Sequence, residues 1–217
     1  MSRYSKEWIR EKLKVYFIMG SNNTNHEHEF VLTEALKGGV TIFQFREKGD
    51  GSCTGKEKIE LARRWKEICD EYQVPFIIND DVDLAIEIDA DGVHIGQEDE
   101  SPAFVKKKIG DRMLGVSAHT VEEVEKAIAA GADYVGIGPI FPTNTKKDAK
   151  KVQGTKLIQE LKARGIDLPI VGIGGITSKN AKKVMDAGGD GVAVISEISY
   201  GDSPFHRAKQ LEESILV

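Results

Sequence analysis

AGADYVGIG (residues 130–138) and AGGDGVAVI (187–195) are near-copies of one unit. In each, a small-residue turn opens a short β-branched run. Working outward, runs of the same kind recur: VYFIMG (15–20), VTIFQFR (40–46), PFIIND (75–80), DGVHIG (91–96), RMLGVS (112–117), PIVGIGG (169–175) and GVAVIS (191–196), with DYVGIG (133–138) completing eight. Between them lie helical patterns, clearest in residues 56–73, 121–131, 155–165 and 178–189. Val121, Val124, Ile128 and Ala129 follow helical spacing, and Gly131, Gly165 and Gly188 stand where a left-handed C-cap belongs. Strands alternating with helices predict a parallel sheet of βαβ units, and eight such units close a ring. The fold class read from this pattern is α/β, a (β/α)8 (TIM) barrel filling residues 1–217 as one domain. MSRYSKEWIREKLK, at the start of the chain, reads as a short lead-in helix.

Composition narrows the functions. The chain carries 40% hydrophobic and 30% charged residues and a formal charge of −5. Such a chain buries a substantial core. It offers no overall positive field to nucleic acid or an anionic membrane. No apolar run approaches the ~18 residues of a membrane helix, and the start of the chain lacks the apolar centre of a signal peptide. Cys53 and Cys69 have no metal-ligand spacing and read as free thiols of a reducing cytoplasm. Homo-oligomers are common among soluble enzymes, and that prior extends to this chain.

In a barrel of this kind the chemistry sits where strands end. The second run ends Gln44-Phe45-Arg46-Glu47-Lys48, and alternation places Gln44, Arg46 and Lys48 on one side. Two cations and an amide facing the mouth call for an anion: the guanidinium as a planar fork, the ammonium as a point charge. The third ends Asn79-Asp80-Asp81, and Asp99 follows the fourth. Asp80 and Asp99 suit Mg2+, which takes one or two carboxylates and leaves the rest of its octahedron to water and phosphate oxygens. Asp81 reads as a helix N-cap, and Thr120 with Glu123 as a capping box. Ser117 remains for ligand, His94 reads as packed and hydrogen-bonded, and His119 as incidental. After the sixth run, Gly138 to Lys146 holds two prolines, hydroxyls and a lysine, as a closing lid would. Gly172 to Gly175 and Ile195-Ser196 end the last two runs, where backbone N–H groups approach a phosphate. One region thus suits a diphosphate with Mg2+ and another a monophosphate, with no acid–base pair or nicotinamide fingerprint.

Residues 44–48, Asn79-Asp80, residues 91–97 with Asp99, residues 117–120, residues 138–146 and residues 172–176 together resemble thiamine-phosphate synthase, in order and spacing, over nearly the whole chain. The resemblance implies the joining of 4-amino-2-methyl-5-hydroxymethylpyrimidine diphosphate to 4-methyl-5-(2-phosphoethyl)thiazole, giving thiamine phosphate and diphosphate. It implies that Gln44, Arg46, Lys48 and Asn79 hold the pyrimidine diphosphate, with Phe45 and Glu47 of the same motif among the substrate contacts. Asp80 and Asp99 would bind Mg2+. Ser117 and Lys146 would touch the pyrimidine substrate or the departing diphosphate. Thr143, Asn144 and Thr145, with the backbone of Gly175, Ile195 and Ser196, would take the thiazole phosphate. Arg46, Lys48, Lys146 and Ser117 would carry the catalysis. A thiazole tautomerase on the same barrel would lose the diphosphate and metal residues, and a phosphate-ligand sensor would have no need of them. A sugar-phosphate epimerase would share the glycine cradle but not the Gln-Arg-Lys strand end.

Overall fold

Period-two alternation sorts each strand's side chains between two cores. Val15, Phe17 and Met19 face outward to the helices, while Tyr16 and Ile18 face inward. On the next strand Phe43 and Phe45 go out and Ile42 goes in. The computed structural model, which describes residues 3–143 and 151–216, closes eight parallel strands into a ring. They are β1 (Val15–Met19), β2 (Ile42–Phe45), β3 (Phe76–Asn79), β4 (Gly92–Ile95), β5 (Met113–Ala118), β6 (Tyr134–Ile137), β7 (Ile170–Ile173) and β8 (Gly191–Val194). Each pairs with the next in the chain, and β1 closes on β8 through Val15–Val192, Tyr16–Ala193 and Phe17–Val194.

The helices α1 (Lys6–Lys12), α2 (His28–Lys37), α3 (Gly55–Glu71), α4 (Val82–Glu87), α5 (Pro102–Ile109), α6 (Val121–Ala129), α7 (Lys156–Ala163), α8 (Lys182–Asp186), α9 (Ser196–Ser199) and α10 (Pro204–Leu216) complete the described elements. Trp65 of α3 packs edge-on against Phe43 and Phe45 and ties that helix to β2. Asp81 and Thr120 cap α4 and α6 as expected, accepting from Leu84 N and Glu123 N. Glu123 reaches back to His119 N at 2.6 Å, one residue before the cap. The C-cap glycines 131, 165 and 188 have φ of +82, +72 and +97°. Only Lys182–Asp186 of the expected helix 178–189 is α-helical. Ahead of it Asn180 accepts from Thr177 N at 2.8 Å and donates to Gly175 O at 3.0 Å, a local bonding pattern that competes with helix.

The lead-in helix closes the end of the barrel where the strands begin. Ile9 and Leu13 join Tyr16, Ile42, Ile77, Met113 and Tyr134 in the inner core. Around this plug an aspartate or threonine precedes every even-numbered strand. Thr41, Asp91 and Asp190 accept the first N–H of β1, β3 and β7, and Asp133 accepts that of Leu114, the second residue of β5, all at 2.8–2.9 Å. These side chains stitch strand starts that the ladder leaves unpaired, and they account for the aspartates repeated in AGADYVGIG and AGGDGVAVI. Among the described residues no helix is long and apolar enough to cross a membrane.

Candidate active site

At the opposite end seven strands stop one or two residues short of the runs read from sequence, and β5 goes one residue past its own, to Ala118. Arg46, Asp80, Gly96, Gly138 and Ile195 lie just past the last ladder residues. There they line a cavity of about 450 Å³. Arg46 and Lys48 after β2, Asn79 and Asp80 at the end of β3, Asp99 after β4 and Ser117 of β5 form one side of it. Thr143, Gly175, Ile195 and Ser196 form the other.

The first side is electrostatically crowded. Lys48 Nζ lies 2.8 Å from Asp80 Oδ2, and this bond holds the ammonium above its ordinary pKa. Asp99 stands beside Asp80, within reach of its charge. Partial burial raises the Asp99 carboxyl above its usual value, the Gly96 N–H pulls against this from 2.7 Å, and the Asp80 charge pushes it further up. Asp80 adopts φ +63°, uncommon outside glycine. Its N–H is pinned to His94 O at 2.9 Å. Asp81 turns away to cap α4 and to pair with Lys58 at 2.6 Å. Tandem aspartates thus divide into one cavity acid and one helix cap. The Arg46 guanidinium makes no hydrogen bond to a described residue, although it lines the cavity. Two adjoining carboxylates are hard oxygen donors of the number Mg2+ commonly takes. The described residues offer no cluster of three or more ligating side chains, so the pair suits a cation that brings its remaining ligands as water and substrate oxygens.

The second side is built from backbone. The β6 and β7 strands stay in step beyond their ends, Ile140 N donating to Ile173 O and Phe141 N to Gly174 O, each at 2.9 Å. Gly175 has φ +64°, and a Cβ there would stand 2.4 Å from Pro142 O. Only glycine lets these two loops close together. Asn180 holds the Gly175 carbonyl from behind, and Glu197 accepts from Ser178 N at 3.2 Å, joining the β7 loop to α9.

Three residues of the second-strand motif do not line the cavity. Gln44 lies beneath it, 1% exposed, and donates to the Tyr16 hydroxyl. Phe45 and Glu47, expected among the substrate contacts, are corrected: strand alternation turns both outward. Phe45 packs on Trp65, and the Glu47 carboxylate accepts from Ser21 N and from Cys53 N at 2.7 Å. Asn144, Thr145 and Lys146 lie outside the described residues. Among the residues given no ligand role in sequence, His94, Gln97 and His119 line the cavity. His94 is packed and hydrogen-bonded as expected and also borders it, and Gln97 clamps the β5 carbonyl of Ser117 at 2.6 Å. Their signal was position alone, in or just past β4. His119 borders the cavity with Nδ1 held 3.1 Å from Glu123.

Comparison with known proteins follows the same lines. The family described as thiamine monophosphate synthase matches residues 15–198. The chain is 57% identical over 215 residues to the thiamine-phosphate synthase of Bacillus cereus strain 03BB102, covering 99% of this chain and 98% of that protein. It is equally similar, with the same coverage, to that of Bacillus thuringiensis strain Al Hakam. The solved thiamine phosphate pyrophosphorylase from Pyrococcus furiosus superimposes with a TM-score of 0.86 at 33% identity, over 96% of this chain and 98% of that one. A match covering this much of the chain in both sequence and structure places it in one group: the chain belongs to the thiamine monophosphate synthase family.

Proposed function

We propose that the chain joins hydroxymethylpyrimidine diphosphate to the thiazole phosphate, releasing diphosphate and thiamine phosphate. The observation that carries this is the pairing of two unlike anion sites across one barrel mouth: side-chain cations and acids after β2 to β4, and backbone donors after β7 and β8. A monophosphate ligand alone gives no use for the first side.

Asp80 and Asp99 would hold Mg2+, which when bound neutralises charge on the diphosphate oxygens. Arg46 and Lys48 bind that diphosphate, and their charges favour its departure as negative charge grows on the leaving oxygen. The C–O bond breaks with its electron pair leaving on diphosphate, and the thiazole nitrogen lone pair forms the new C–N bond at the pyrimidine methylene. Backbone N–H groups at Gly175, Ile195 and Ser196 hold the thiazole phosphate so that its ring nitrogen faces that carbon. No strong base is required of the protein, because the attacking thiazole nitrogen carries no proton to remove.

The test is to mix purified protein with both substrates and Mg2+ and to follow thiamine phosphate and diphosphate, with and without chelator. Mg2+-dependent product, lost in Asp80→Ala and Arg46→Ala, is the expected result. Folded protein that binds the thiazole phosphate yet forms no product would overturn the proposal.

A further inference from the structure

Five polar side chains cross the barrel interior in one hydrogen-bonded chain. Gln44 Nε2 donates to the Tyr16 hydroxyl at 2.8 Å. The Tyr16 and Tyr134 hydroxyls lie 2.7 Å apart. The Tyr134 hydroxyl lies 3.2 Å from His94 Nδ1, and His94 Nε2 lies 2.9 Å from Ser117 Oγ. The first four are buried, and Ser117 opens onto the cavity. Two bare positions make room for the chain. A Cβ at Gly115 would stand 2.2 Å from the Tyr134 ring and 2.5 Å from His94 Nδ1, and one at Gly136 would press on His94 Cε1 at 3.3 Å.

The first donor sets the direction of every bond after it. A carboxamide nitrogen only donates, so Tyr16 oxygen accepts and its proton goes to Tyr134. Tyr134 then passes its own proton toward His94 Nδ1. A neutral imidazole that accepts at Nδ1 carries its hydrogen on Nε2, so His94 donates to Ser117 Oγ. The Ser117 proton is left for the cavity. Reversed, the chain would spend that proton on His94 and turn only lone pairs toward an anion.

We propose that His94 is a positioning residue acting through Ser117: the chain headed by Gln44 holds it as the Nε2–H tautomer and thereby makes the Ser117 hydroxyl a donor to an anionic substrate oxygen. This rests on reading the cavity as a diphosphate site. It also gives Gln44 a part in the reaction without contact with substrate.

The test combines steady-state kinetics with 15N NMR of the histidine ring nitrogens in the free protein. Ser117→Ala is expected to lower kcat on the order of 10²–10³-fold, as loss of a preorganised donor does. His94→Asn reaches Tyr134 but not Ser117, and should lower kcat at least ~10-fold with KM nearly unchanged. His94→Gln, which carries an amide N–H to the Nε2 position, should recover most of that loss. His94→Asn added to Ser117→Ala should cost nothing further, since a residue that acts only through Ser117 has nothing left to act on. The His94 ring should show a protonated Nε2 and an unprotonated Nδ1. Additive losses in the double variant, or a proton on Nδ1, would overturn the proposal. Should His94→Asn not fold, the tautomer in the unaltered protein and its change in Tyr134→Phe decide the matter. An inactive but folded wild-type protein would count against the proposed reaction, while the tautomer measurement still judges the chain of bonds.

Discussion

The two ends of the barrel treat charge in opposite ways. Where the strands begin, carboxylates are matched. Asp133 accepts a strand N–H and pairs with Lys106 at 2.7 Å, and Asp190 accepts one and pairs with Arg10 at 3.0 Å and Lys162 at 3.5 Å. Lys6 and then Arg10 hold the Asp167 carboxyl below its ordinary value. Where the strands end, burial and then Asp80 push Asp99 upward, Asp80 sits at a positive φ, and the Arg46 guanidinium bonds no described residue. Both ends share the same eight strands, so the contrast arises from the loops. The starting end satisfies its charges internally and adds stability. Among the described residues the finishing end leaves like charges adjoining and the Arg46 guanidinium without a hydrogen bond, an arrangement suited to ligands of complementary charge.

This contrast is most easily broken by exchanging damage between the ends. Arg46→Ala is expected to lower kcat by on the order of 10²–10³ while Tm stays within about 2 °C of wild type; a large fall in Tm would mean that the finishing end also carries stability. Asp190→Ala should do the reverse. Losing a part-buried acceptor of a strand N–H and of Arg10 costs about 2 kcal/mol, or roughly 4–8 °C in thermal denaturation, with kcat/KM unchanged at a temperature where the variant is folded. Mg2+ binding sharpens the comparison further. Asp99 must lose its proton to ligate, so affinity should climb by up to ~10-fold per pH unit through the window just above the ordinary carboxylate pKa. Calorimetry in buffers of different ionisation enthalpy would show the released proton, and a flat pH profile would remove Asp99 from the metal site.

The smallest effect concerns stability alone. Asp99 binds its proton more readily folded than unfolded, so the metal-free protein loses that stabilisation as pH rises through the raised value. Asp167, with its lowered value, works in the other sense: its contribution is present above the unfolded pKa and is lost as pH falls, and full exposure keeps it small. Asp99→Asn should therefore raise the Tm of the metal-free protein at neutral pH by on the order of a degree, while the same variant binds Mg2+ more weakly.

Much of the site was legible because each strand end announces itself locally. Arg46, Lys48, Asp80, Asp99 and Ser117 were found by asking which residue follows each β-branched run, and the cavity gathers all five. Phe45 and Glu47 were misread because a motif counts neighbours along the chain, whereas a strand turns alternate residues to opposite faces. Gln44 followed the alternation correctly but sits too deep, one step below the cavity floor, where the inner layer of the barrel is closed by Tyr16 and Tyr134.

Sequence alone determined the βα repeat, the N-caps at Asp81 and Thr120, the glycine C-caps and the alternation of faces along the second strand. These depend on backbone sterics and hydrogen bonds reaching only a few residues along the chain. Tertiary structure alone decided that Asp80 adjoins Asp99, that Gln44 is connected to Ser117 by hydrogen bonds through three intervening side chains, and that the repeated aspartates tie strand starts. Each of those outcomes depends on which strands become neighbours and at what register when the ring closes, and barrel closure is a property of all eight strands at once.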